Sequence, residues 1–213
     1  MTALDALVST FTLALPAVFF IVDPIGVVPV FVAMTGRDSP EKCRAMARRA
    51  CLTAAGVLIF FALGGGLIFR VFGVTLPAFR VAGGLLLLLT ALDMLRAQHP
   101  TTKTTEAETR AGTESEDIAV VPLALPLLAG PGAIATVMVL MAESGGGLEA
   151  GAAVVAAILL TLGATYAVLR SAHHVKRVLK TTGIAILERI FGLILAAIAV
   201  QFVFEGAKAL WRA

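Results

Sequence analysis

Phe19-Phe20-Ile21-Val22-Asp23-Pro24-Ile25-Gly26-Val27-Val28-Pro29 sets one carboxylate, two prolines and a glycine inside an apolar run from Ala6 to Met34 that holds no other charge. The run is 29 residues long, against the roughly 20 that a helix needs to cross the hydrocarbon core of a bilayer. Asp23-Pro24-Ile25-Gly26 falls past its middle. Proline withholds an amide and collides with the preceding turn, and glycine relaxes the backbone, so the helix is predicted to break there. A break facing lipid would strand backbone groups without partners, so the broken part must face protein or a water-filled cavity. The run from Ile118 to Ala142 repeats the device, with Gly130-Pro131-Gly132 near its midpoint after Pro122 and Pro126.

Four further apolar stretches surround these two: Cys51 to Phe69, Pro77 to Arg96, Ala150 to Leu169, and about Ile184 to Leu210, framed by Glu188/Arg189 and closed by Trp211. None shows the alternation, over about ten residues, of an outer-membrane barrel strand. The chain therefore reads as an all-α integral membrane protein with six transmembrane helices. Composition excludes the rivals. Of the 213 residues, 59% are hydrophobic and 15% charged, too greasy for a soluble core of this size. Two cysteines make no disulfide scaffold, and a net charge of +3 carried in connections makes no nucleic-acid binder.

Lys and Arg set the orientation. Thirteen of the 17 lie in the odd-numbered connections (Arg37 to Arg49, Arg96 to Arg110, Arg170 to Arg189), and four, Arg70, Arg80, Lys208 and Arg212, on the other side. The odd connections are thus expected to face the cytoplasm, with both termini outside. No basic n-region precedes the first helix, which is read as retained. Residues 98–117, rich in Thr and Glu, read as a flexible cytoplasmic linker between a first unit, 1–97, and a second, 118–213.

The two units resemble each other. Pro24 stands 107 residues before Pro131, Gly84 stands 108 before Gly192, and Asp93 falls opposite Gln201 at that offset. The alternative is that Leu-rich helices align by chance. Three helices per copy is an odd number, so a tandem copy enters the membrane from the opposite face and produces an inverted repeat. Helices 1 and 4 would then both break at the midplane, and their second halves, starting near Gly26 and Gly132, would point free amides and partial positive charge at one cavity.

Such a cavity suits a carboxylate. The predicted substrate-binding set is Asp23, Pro24, Ile25, Gly26, Gly130, Pro131 and Gly132. A carboxylate at mid-bilayer is costly, so Asp23 is read as holding an amino group or a coupling proton or sodium ion; the structural alternative is a cap on the second half-helix. Arg80, Asp93 and Gln201 are candidates for coupling or gating. Arg80 and Asp93 are about 20 Å apart along one helix and cannot pair, whereas Asp93 can reach Arg96. Gly64-Gly65-Gly66 and Gly83-Gly84 are expected at close helix contacts. Cys43 and Cys51 are too far apart for a disulfide. His99, His173 and His174 form no metal motif, and there is no catalytic constellation, so no metal, cofactor or enzymatic activity is expected.

Asp23-Pro24-Ile25-Gly26, Ala78-Phe79-Arg80-Val81-Ala82-Gly83-Gly84, Ala91-Leu92-Asp93-Met94-Leu95, the stretch from Pro122 to Ala133 and the stretch from Arg189 to Phe202 resemble the MarC family of bacterial inner-membrane proteins. The resemblance runs through nearly the whole chain. It implies a six-helix protein distantly similar to LysE-type exporters, in a family with members described as transporters of small neutral amino acids and named for a multiple-antibiotic-resistance locus. Three functions follow as expectations: a secondary transporter of small amino acids or similar zwitterionic or carboxylate metabolites, an exporter of amphipathic drugs, or a non-transporting scaffold linked to stress. The partners expected are the lipid bilayer, a small solute, and a second copy of the chain in a homo-oligomer.

Overall fold

Asp23 ends the first helix as its sequence requires. The computed structural model describes residues 3–36, 38–96, 119–144 and 148–212. Helix α1, Ala3–Val22, stops where Asp23 takes a left-handed φ of 56°, a region that Asp and Asn enter more readily than other side chains. Helix α2, Val27–Met34, follows at a bend of 42°. Ser39 caps α3, Pro40–Phe72, by accepting the Lys42 N–H at 3.3 Å, and Gly73 closes it with φ 64°. Thr75 caps α4, Leu76–Leu95, through the Ala78 N–H at 3.4 Å.

The second half begins with an irregularly wound segment, Ala119–Leu128, in which Val121 and Leu125 are extended ahead of cis bonds to Pro122 and Pro126. Helix α5, Pro131–Glu143, departs from it at 58°. Helices α6, Leu148–Arg170, and α7, Ala172–Trp211, complete the chain, and α7 is interrupted at Lys180, φ 53°. Among the described residues there is no strand. Among the described residues four helices are long and apolar enough to cross a membrane, and up to six spans result if each bent pair is one. The expected linker, 98–117, lies outside the described residues.

Two basic connections are more helical than their charge suggests. Lys42, Arg44, Arg48 and Arg49 ride on the first turns of α3, and Lys176 and Arg177 on the start of α7, with Ser171 as the only residue between α6 and α7. Hydropathy registers where the bilayer ends. It does not register where the helix ends, and Ala, Lys and Arg propagate helix well in water.

Helix α4 lies antiparallel along α7, α1 lies along α6, and α3 packs on the Ala119–Leu128 segment, α5 and α6. A single buried cluster, including Ile21, Phe31, Leu58, Leu87, Leu128, Ile158 and Leu195, joins the halves. The outside is apolar too: Leu13, Leu63, Leu67 and Phe204 are each 67–71% exposed, a lipid-facing rather than a watered surface. Gly65 meets the Met138 side chain, whereas Gly64 and Gly66 have open space where a Cβ would stand, so only the middle member of that triplet serves a helix contact.

Candidate functional site

The break before α5 opens on a cavity. Gly130 caps α5 in an extended conformation with no side-chain hydrogen bond, and the first helical bond runs from the Ile134 N–H to the Gly130 carbonyl at 3.0 Å. Pro131 has no amide, so the Gly132 and Ala133 N–H groups are the orphans of this terminus. They border a cavity of about 190 Å³ lined by Ile21 of α1, Leu86 and Thr90 of α4, and Gly130 to Ala133. The space would hold about six waters at ~30 Å³ each. Its walls are apolar apart from the orphan amides and Thr90, whose hydroxyl also donates to the Leu86 carbonyl at 3.1 Å. A Cβ on Gly132 would stand 3.1 Å from Ile21 Cδ1, so glycine here keeps the wall thin.

The break before α2 is built differently. Asp23 is 3% exposed, and its Oδ1 accepts the Gly26 N–H at 3.0 Å, so its carboxylate closes the turn that leads into α2, whose own N-cap, Gly26, has no side-chain hydrogen bond. Both the Asp23 carboxylate and Glu188 Oε1 come within 3.0 Å of the point where a Cβ on Gly26 would stand. No side chain fits at that position. Phe191, nearly one turn beyond Glu188, meets Phe19 and Phe20 edge-on at 6.0 and 5.1 Å and so holds α7 against the break.

A third polar cluster joins helix ends. Arg80 places Nη1 2.7 Å from Glu143 at the end of α5, and its Nη2 pairs with Glu205 of α7. Gln201 Nε2 donates to Glu205 Oε1 at 2.9 Å, and the guanidinium lies 5.4 Å from the centre of the Phe202 ring. Arg80→Met is expected to cost about 1–3 kcal/mol, between the near-zero value of exposed pairs and the larger value of buried ones. Arg80→Lys should restore only part, since one ammonium cannot fork to two carboxylates. Thermal denaturation in detergent measures both.

Of the predicted residues, Gly130, Pro131 and Gly132 line the cavity directly. Ile21, two residues ahead of Asp23, represents the first break there, while Asp23 and Gly26 face Glu188. Arg80 and Gln201 meet through Glu205, and Asp93 is half-buried near the opposite end of α4. Sequence reasoning missed Thr90, Glu188 and Glu143. Thr90 could have been found as the only hydroxyl between Leu76 and Leu95. The two acids carry no local signal, because their partners are remote in the chain.

The model of the family "MarC family integral membrane protein" matches residues 8–211. A UPF0056 membrane protein of Methanocaldococcus jannaschii is 44% identical over 198 residues, covering 93% of this chain and 96% of its own. A UPF0056 membrane protein of Aquifex aeolicus is 40% identical over 202 residues, covering 95% and 94%. The UPF0056 membrane protein YhcE of Escherichia coli is 34% identical over 193 residues, covering 91% and 89%. No solved structure matches.

Proposed function

The chain belongs to the MarC family of multi-pass integral membrane proteins, and on that premise we propose that it is a secondary transporter of small amino acids or similar zwitterionic or carboxylate metabolites. The observation that carries this reading is the N-terminus of α5, free of any side-chain cap, opening into a partly open cavity between α1 and α4. A substrate carboxylate would accept from the Gly132 and Ala133 amides, where the helix dipole adds partial positive charge. Thr90, whose one hydroxyl proton goes to the Leu86 carbonyl, would offer its oxygen as an acceptor. The Asp23–Glu188 pair, one step along α1 from Ile21, would take the amino group or a coupling proton or sodium ion. At about 190 Å³ the cavity suits a small solute better than a drug-sized one, for which sites run about 300–1,000 Å³.

Alternating access would come from rocking of the first unit, 1–97, against the second, 118–213, about this site. The inverted repeat is supported by the α4–α7 contact. A Cβ on Gly84 would stand 2.9 Å from the Ala199 carbonyl oxygen and 3.0 Å from the Val203 nitrogen. One on Gly192 would stand 3.0 Å from the Ala91 oxygen and 3.1 Å from the Leu95 nitrogen. Gly84 and Gly192 are 108 residues apart, as are Ala91 and Ala199, and Leu95 and Val203. Each half offers the other the same contact, as a two-fold axis requires. The Arg80–Glu143–Glu205 cluster with Gln201 would latch one end of the path, and Asp93 lies toward the other. The distribution of Lys and Arg supports a location in an inner membrane with both termini outside.

A thermal-shift screen of purified protein against amino acids and related acids, followed by flux in proteoliposomes for each hit, tests the reading. A stabilising zwitterion that is also transported is the expected result, with both effects removed by Gly132→Leu, whose side chain fills the cavity. A folded protein that answers to no solute and carries none would support the scaffold function instead.

A further inference from the structure

A second pocket lies where the α2–α3 and α6–α7 connections meet. It measures about 380 Å³, and its rim carries Arg44, Arg170, His173 and His174 with Asp38 and Ser171. We infer that this pocket binds a phosphate group, presented by an anionic phospholipid headgroup or by a free phosphate.

A general excess of basic residues on one face would leave cations spread over the surface. Here Arg44 and Arg170, from different halves of the chain, converge on one hollow. Asp38 is already engaged by Lys42 at 2.8 Å. Among the described residues no carboxylate pairs with either arginine or either histidine. The pocket thus presents two guanidinium forks, the donor geometry that matches phosphate oxygens. Helix α7 begins at the same rim. The Ser171 hydroxyl donates backward to the Ala167 carbonyl at 2.8 Å and caps nothing, while the His174 and Val175 amides bond to the Ser171 carbonyl, leaving the preceding two amides open. Phe31 and Leu169, 1% and 2% exposed, close the floor, so the pocket is a seat and not a path into the core. It stands where apolar helix gives way to basic residues, the kind of place at which a polybasic segment meets anionic headgroups.

The test compares wild type with Arg44→Gln/Arg170→Gln and with Arg48→Gln/Arg177→Gln, a control that removes equal charge from the same face outside the pocket. Lipid binding is read by native mass spectrometry after exchange into phosphatidylglycerol or phosphatidylcholine nanodiscs. Free phosphate is read by thermal shift in detergent with inorganic phosphate. Wild type and control should retain phosphatidylglycerol, or be stabilised by phosphate, about tenfold more strongly than the pocket variant. A response to phosphatidylglycerol alone assigns the lipid source, and one to inorganic phosphate assigns the free anion. His173→Gln/His174→Gln serves if the double arginine variant does not fold. Loss of binding in the control equal to that in the pocket variant, or no response to either probe, overturns the proposal.

Discussion

Valine at Gly84 or Gly192 is expected to force α4 away from α7 and cost about 3 kcal/mol or more, leaving little folded protein after extraction in detergent. Lipid tails are as apolar as a helix face, so membrane helices associate through close packing, which small residues permit. At both glycines the atoms a Cβ would meet include a backbone oxygen and a backbone nitrogen, at 2.9–3.1 Å, and backbone cannot rotate away. Gly206 meets α4 in the same fashion, at the Pro77 oxygen and Val81. Alanine at Gly84 or Gly192 should cost less, about 1–2 kcal/mol, because helix propensity returns up to about 1 kcal/mol against the steric term. The control reverses the sign. Gly64 and Gly66 have no neighbour within 4 Å of a built Cβ, so Gly64→Ala and Gly66→Ala should stabilise by about 0.5–1 kcal/mol. Unfolding midpoints that move the same way for both groups would remove the α4–α7 contact as the reason these glycines matter.

The contrast also shows what the residues disclose before any coordinates exist. A proline beside a glycine alters the backbone locally, so the breaks at Asp23-Pro24-Ile25-Gly26 and Gly130-Pro131-Gly132 were legible, as was a tight contact at Gly84. That Gly65 packs while its two neighbours face outward depends on how α3 is rotated against α5, which no local pattern encodes. Pro122 and Pro126 announced irregularity before the second break, and the extended Val121 and Leu125 follow from it, since a residue ahead of proline is driven out of the helical region. The Arg80 partners were hidden for the same reason as the Gly65 contact. Glu143 and Glu205 reach it only because the ends of α5 and α7 rise beside the start of α4. The cavity was legible on one side only: the glycines of the second break line it, while the first break contributes Ile21 and turns its acid elsewhere.

Asp23 can be separated into a turn-closing acceptor and a charge. Its Oδ1 accepts the Gly26 N–H, and its φ is 56°. Asparagine keeps both features, since its side-chain oxygen accepts the same bond and it tolerates the left-handed region as aspartate does. Asp23→Asn should therefore leave stability within about 0.5 kcal/mol. Asp23→Ala loses the hydrogen bond to the Gly26 amide, about 1 kcal/mol, and places a poorly suited residue at positive φ, about 1 kcal/mol more. Flux should follow a different order. If the buried carboxylate, 3% exposed and beside Glu188, takes the substrate amine or a coupling proton, Asp23→Asn and Asp23→Ala should both lose transport at least about a hundredfold. A general structural role predicts instead that activity tracks stability, with asparagine active and alanine impaired. Proteoliposome flux set beside unfolding midpoints for the three proteins decides between these outcomes. An asparagine variant that transports like wild type would reduce Asp23 to the residue that starts α2.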